Sequence, residues 1–169
     1  MWNLLEQHGR KVYALIFAGS LAMLAFGVLY LQNVVGLEPC PMCIVQRYAL
    51  ILVAAFAAAA AVSGSKPLQA AFGGFMVLLA GGGAFVAARQ SWLQWYPPEV
   101  VSCGRDIYGM IETFPLKRAI PMIFRGSGDC TKIDWTFLGG SIANWSFLVF
   151  VGVALVGVTL IAARLLQRN

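Results

Sequence analysis

Cys40 and Cys43 stand either side of Pro41 and Met42 in the stretch "EPCPMCIVQR", residues 38–47, where a long apolar run begins. Cys103 and Cys130 complete a set of four cysteines. Three chemistries use cysteines in this number: thiol–disulfide exchange, zinc coordination and structural cross-linking. Zinc is disfavoured, because the second pair is widely separated rather than C-x-x-C and the one histidine, His8, lies far along the chain from all four. Cross-links stabilise by closing sizeable loops, and a Cys40–Cys43 bridge closes almost nothing. A C-x-x-C pair is better suited to exchange. Pro39 and Pro41 set the start of a helix whose first turn holds Cys43, where unpaired backbone N–H groups and the helix dipole favour a thiolate. Arg47 lies one turn further on the same helix face with a permanent charge. It either reaches to lipid headgroups or stabilises Cys43 and the charge developing on an electron acceptor. An acceptor bound in the lipid plane must be lipophilic; a quinone fits, carrying two electrons as a dithiol does.

The rest of the chain must hold these residues in a bilayer. Of its 169 residues 60% are hydrophobic and 11% charged, more apolar surface than a water-soluble domain could hide. Four runs, about 12–31, 44–62, 68–88 and 145–163, match the roughly 20 residues needed to cross a hydrocarbon core. The first exceeds the roughly 7–15 apolar residues of a signal peptide and reads as an uncleaved span. No alternating barrel pattern is present, so the spans are helices. The expected architecture is an all-α, four-transmembrane-helix bundle, a single domain over residues 1–169. No basic stripe with interleaved aromatics lies outside the apolar runs, which argues against nucleic acid as a partner.

Basic residues orient the bundle. Arg10 and Lys11 precede the first span, Lys66 sits in the "SGSKP" turn, and Arg164 and Arg168 follow the fourth. Short basic segments face the cytoplasm, so both termini are expected there. Residues 32–43 and the long segment 89–144 then share the outer side, with all four cysteines in a compartment where disulfides persist.

The ordered set of motifs resembles the DsbB family, the quinone-linked disulfide oxidases of bacterial inner membranes. It comprises "PCPMC" opening the second helix with Arg47 after it, "LQWYPP" ahead of Cys103, "SGDC" ending at Cys130, and "WTFLGG" beyond. The resemblance spans nearly the whole chain. It implies a disulfide between Cys103 and Cys130 in the long periplasmic loop, attacked at Cys103 by a reduced DsbA-like, thioredoxin-fold partner. It further implies that Cys130 then attacks Cys40 and that Cys43, with Arg47 close by, passes electrons to a membrane quinone, ubiquinone or menaquinone. Two positions depart from the best-known pattern: Gln90 stands where some members have a histidine associated with the quinone, and Ile142 where they have a methionine. Gln90 can still hydrogen-bond a quinone carbonyl. The competing classes are a four-span structural protein with a stapled outer loop and a related oxidase serving a dedicated partner.

Other features have structural readings. Trp92, Trp95, Tyr96, Trp135 and Trp145 are expected to anchor the bundle at the interface. The run Ala57–Ala61 and glycines 81–83 offer small faces for close helix packing. Residues 110–130, apolar in patches, have two readings, short amphipathic turns resting on the outer interface or a solvent loop with incidental apolar residues; in the first, Gly126 and Gly128 supply a hinge that lets Cys130 reach both Cys103 and Cys40.

Overall fold

A computed structural model describes residues 2–97 and 128–166. Helix α1 (Trp2–Ala25) continues into a π-helical segment, Phe26–Gln32; α2 spans Pro41–Val62 and α3 Lys66–Trp95. A short α4 (Gly128–Thr131) leads to a two-stranded hairpin, β1 (Thr136–Phe137) and β2 (Gly140–Ser141), and then to α5 (Ile142–Leu166). Among the described residues, four helices are long and apolar enough to cross a membrane: His8–Gln32, Pro41–Val62, Lys66–Trp95 and Ile142–Ala163. The protein is a multi-pass membrane protein. The third helix continues past Ala88 to Trp95, which carries Gln90 and Gln94 on continuous helix rather than loop.

Local chemistry sets the helix ends. Pro41 occupies the first turn of α2, where its missing N–H costs nothing, and Pro67 does the same for α3. At the other end of α2 the Ser63 hydroxyl donates to Ala59 O at 2.6 Å, and the chain turns through Ser63–Ser65 into α3. Arg10 of α1 donates to Ser63 O at 2.6 Å. That bond holds the start of α1 beside the α2–α3 turn and leaves Cys40 and Gln90 at the opposite end of the bundle.

Tyr13, Leu50, Val53, Ala57, Ala60, Met76, Ala80, Phe150 and Leu160 form the buried core between the helices. Outward positions are also apolar, with Leu15 at 70% and Leu78 at 73% exposure, as expected of faces that meet lipid tails rather than water. The small-residue expectation holds in part. Ala57 and Ala60 are fully buried, but of glycines 81–83 only Gly83 lies at a helix contact, beneath the Phe150 ring of α5, while Gly81 and Gly82 face open space. A Cβ at Gly83 would come within 2.5 Å of that ring. Gly83→Val is therefore expected to destabilise the bundle by about 1–3 kcal/mol through overpacking. Gly82→Ala should be neutral or stabilising by up to about 1 kcal/mol through helix propensity. Thermal unfolding of the two variants in detergent checks the contrast.

One element departs from the all-α expectation. The β1–β2 hairpin turns through Leu138 (φ 50°) and Gly139 (φ 79°), the pair of left-handed residues that a tight primed turn requires. Trp145 Nε1 donates to Phe137 O at 2.9 Å and pins the hairpin to α5. Tyr30, Phe26, Trp135, Phe137 and Trp145 follow one another in ring contact along this edge. Trp135 and Trp145 thus pack within this run, whereas Trp92, Trp95 and Tyr96 at the end of α3 stand more than half exposed, with the Trp92 and Tyr96 rings 4.8 Å apart.

Candidate redox site

The site begins at the start of α2. Cys40 is the N-cap residue in extended conformation, and its sulfur accepts the backbone N–H of Cys43 at 3.3 Å. A cap of this kind satisfies one of the orphan N–H groups of the first turn. Cys43 is the third residue of α2 and lies in its first turn, where the sequence reading put it, and its backbone N–H goes to the sulfur of Cys40. The two sulfurs are 2.7 Å apart.

The third sulfur comes from the far side of the long loop. Cys130 on α4 is fully buried and packs with Cys40, Met42, Val86 and Leu93 in a second apolar cluster. Its thiol hydrogen-bonds with Cys40. That bond first, the bond with Cys43 second, and burial third hold the Cys40 thiol well above the usual thiol range. Cys103, Gly126 and most of residues 110–130 lie outside the described residues.

Helix α3 supplies an amide. Gln90 Nε2 is 3.3 Å from each of the Cys40 and Cys43 sulfurs, and Gln46 Nε2 of α2 donates to Gln90 Oε1 at 2.7 Å. Both glutamines are buried, so each polar atom needs such a partner. Gln46 was not singled out by sequence reading, although an amide inside an apolar span was a usable signal.

Arg47 follows Gln46 on α2 and turns toward α1. Its guanidinium donates from Nη1 to Gln32 Oε1 at 2.7 Å and from Nη2 to Gly27 O at 3.2 Å, both in the π-helical segment. Neither bond goes to Cys43. Gln32 is a second residue the sequence reading missed; π turns concentrate at functional sites, but their position depends on packing rather than on local residue type. At the hairpin, Ser141 Oγ donates to Gln94 Oε1 at 2.6 Å and joins α3 to the start of α5.

These elements enclose a cleft of about 180 Å³. Cys40, Cys43, Gln46, Arg47 and Gln90 line it on one side, and Met23, Leu50, Val149 and Phe150 supply apolar walls. Ile142 also lines it. A cavity of about 150 Å³ holds a benzene ring, so the cleft has room for one substituted six-membered ring. A flat apolar ring with a polar oxygen at its edge fits this lining, since Arg47 brings more N–H groups than its two bonds consume.

The arrangement brings together Cys40, Cys43, Cys130, Arg47 and Gln90. The family model for "Disulfide bond formation protein DsbB" matches residues 9–160. A disulfide bond formation protein B from Polaromonas sp. strain JS666 is 72% identical over 94% of this chain and 94% of its own length. The proteins of that name from Albidiferax ferrireducens (64% identical, 97% of this chain, 94% of its own length) and Azoarcus sp. strain BH72 (50%, 95% and 96%) are also similar. With four membrane-spanning helices, a C-x-x-C at the head of the second and a matching model over most of its length, this chain belongs to the DsbB family.

Proposed function

We propose that this chain is a quinone-linked protein-disulfide oxidase of the bacterial inner membrane, with both termini cytoplasmic, which reoxidises a DsbA-like, thioredoxin-fold partner in the periplasm. The observation that carries the reading is the meeting of three sulfurs, Cys130 against Cys40 and Cys40 against Cys43, beside a cleft lined by Cys40, Cys43 and Arg47. Family membership and the names of the relatives support it.

The residues divide the work. A thiolate of the reduced partner attacks Cys103 of a Cys103–Cys130 disulfide and releases Cys130. Cys130 attacks Cys40 of the Cys40–Cys43 disulfide and releases Cys43 as a thiolate. The contact of Cys130 with Cys40 supports this choice of target. The partner's second thiol then displaces Cys103, which attacks Cys130 and restores the loop disulfide, leaving Cys40 and Cys43 reduced. A quinone bound in the cleft would accept two electrons and two protons as the Cys40–Cys43 disulfide reforms. In sum, a partner dithiol becomes a disulfide and a quinone becomes a quinol. Cys43 and Arg47 would hold the quinone, Arg47 by donating to a carbonyl oxygen, with Leu50 and Phe150 packing on the ring. Ubiquinone and menaquinone both present such an oxygen.

Quinone reduction by the purified protein, supplied with a reduced thioredoxin-fold partner, tests the reading. Absence of turnover with both quinones would sink it in favour of a stapled structural protein. Within that assay Arg47→Ala is expected to raise the quinone KM by about 10- to 100-fold, the cost of losing a hydrogen bond from a charged donor. The KM for the partner should stay unchanged. An unaltered quinone KM would remove Arg47 from the site.

A further inference from the structure

The Gln90 side chain touches both sulfurs of the C-x-x-C pair, and an amide can face them in two ways. With Nε2 inward it offers N–H donors; with Oε1 inward it offers a lone pair. The residue that decides between the two is on the neighbouring helix. Gln46 Nε2 donates to Gln90 Oε1 at 2.7 Å, so Nε2 is the end nearer the sulfurs, at 3.3 Å from each, while Oε1 stands farther off and accepts only from the Cys43 thiol at 3.8 Å. Both amides are buried, at 6% and 3% exposure, where the low local dielectric strengthens the bond that sets the orientation.

We infer that Gln46 is a positioning residue that fixes the Gln90 amide with its N–H groups toward Cys40 and Cys43 and thereby sets the redox equilibrium of that pair. N–H donors favour reduced sulfur carrying negative charge, whereas disulfide sulfurs are weak acceptors and gain little. The wild-type orientation therefore shifts the couple, disulfide plus two electrons and two protons giving dithiol, toward the reduced side. That makes the pair the stronger oxidant. The reversed orientation would put the amide oxygen against the sulfurs and favour the disulfide. The inference deepens the proposed function only by taking Cys40–Cys43 as its redox pair; it requires no particular acceptor.

The test is the equilibrium of full-length protein with mixtures of reduced and oxidised glutathione, in a Cys103→Ser, Cys130→Ser background that leaves one pair to report. Alkylation and mass measurement read the fraction reduced. Gln46→Glu, at a pH where the introduced carboxylate is ionised, replaces the donor with an acceptor and should turn the Gln90 amide around. The equilibrium constant is expected to move at least about tenfold toward the disulfide, or about 30 mV for a two-electron couple. Because the new charge also acts directly on the sulfurs, the same substitution is made in a Gln90→Met background. There the shift should fall below about threefold, a coupling that only a double-mutant cycle exposes. Equal shifts in both backgrounds would assign the effect to charge alone and overturn the inference, as would no shift in either. Quinone turnover of the wild type is measured separately. A Gln90-dependent shift without such turnover would keep the positioning role and discard the quinone reading.

Discussion

Cys43→Ser is expected to lower quinone reduction driven by the reduced partner by roughly 10³-fold or more, because it removes one of the two reacting sulfurs rather than a group that assists them. Serine nearly preserves the volume of cysteine, and because Cys43 is only half-buried the more polar hydroxyl keeps partners there, so insertion and thermal stability should change little. The geometry makes a further statement. Cys40 in this variant keeps its neighbour Cys130, with which its thiol is hydrogen-bonded, but loses the partner 2.7 Å away. With Cys103→Ser added, so that the loop disulfide cannot claim Cys130, mild oxidation should yield a Cys40–Cys130 disulfide, visible by mass spectrometry of the digested protein. Normal turnover in Cys43→Ser would exclude the sulfur-to-quinone step. Failure to trap the Cys40–Cys130 bond would deny that Cys130 delivers to Cys40.

Cys130→Ser should produce an equally large loss with the protein partner and almost none with a small dithiol. Cys130 is fully buried against the apolar cluster of Met42, Val86 and Leu93 and hydrogen-bonds with Cys40, so in the proposed relay it is the group through which a folded partner's electrons reach the Cys40–Cys43 pair. The expected loss of partner-driven turnover is roughly 10³-fold or more. Dithiothreitol is small enough to reach Cys40 and Cys43, which line the cleft, and its oxidation coupled to quinone reduction should stay within about threefold of wild type, the few tenths of a kcal/mol of an isosteric change. Loss of both activities would point to a collapsed site rather than an interrupted relay. Retention of both would remove Cys130 from the path. Together the two cysteine variants separate the step at the quinone from the step at the partner.

The sequence by itself determined the membrane class, the four helices and the C-x-x-C at the head of the second, because these depend on local quantities: run length, hydropathy, proline position and cysteine spacing. It also brought Arg47 one turn below Cys43, since helix periodicity settles neighbours four residues apart. Tertiary structure alone decided the rest. That Cys130 meets Cys40, that Gln90 from α3 donates to sulfurs on α2, and that Gln46 holds that amide all depend on how α2, α3 and α4 pack. No spacing along the chain encodes such contacts, which join residues dozens of positions apart. Arg47 shows the division within one residue. Its place on α2 follows from the periodicity of the helix, but the direction of its guanidinium, toward Gln32 and Gly27, follows from a π-helical turn that α1 adopts beside it. A hydrogen-bonded group turns to the partners that packing offers, and only the folded chain says where those partners are.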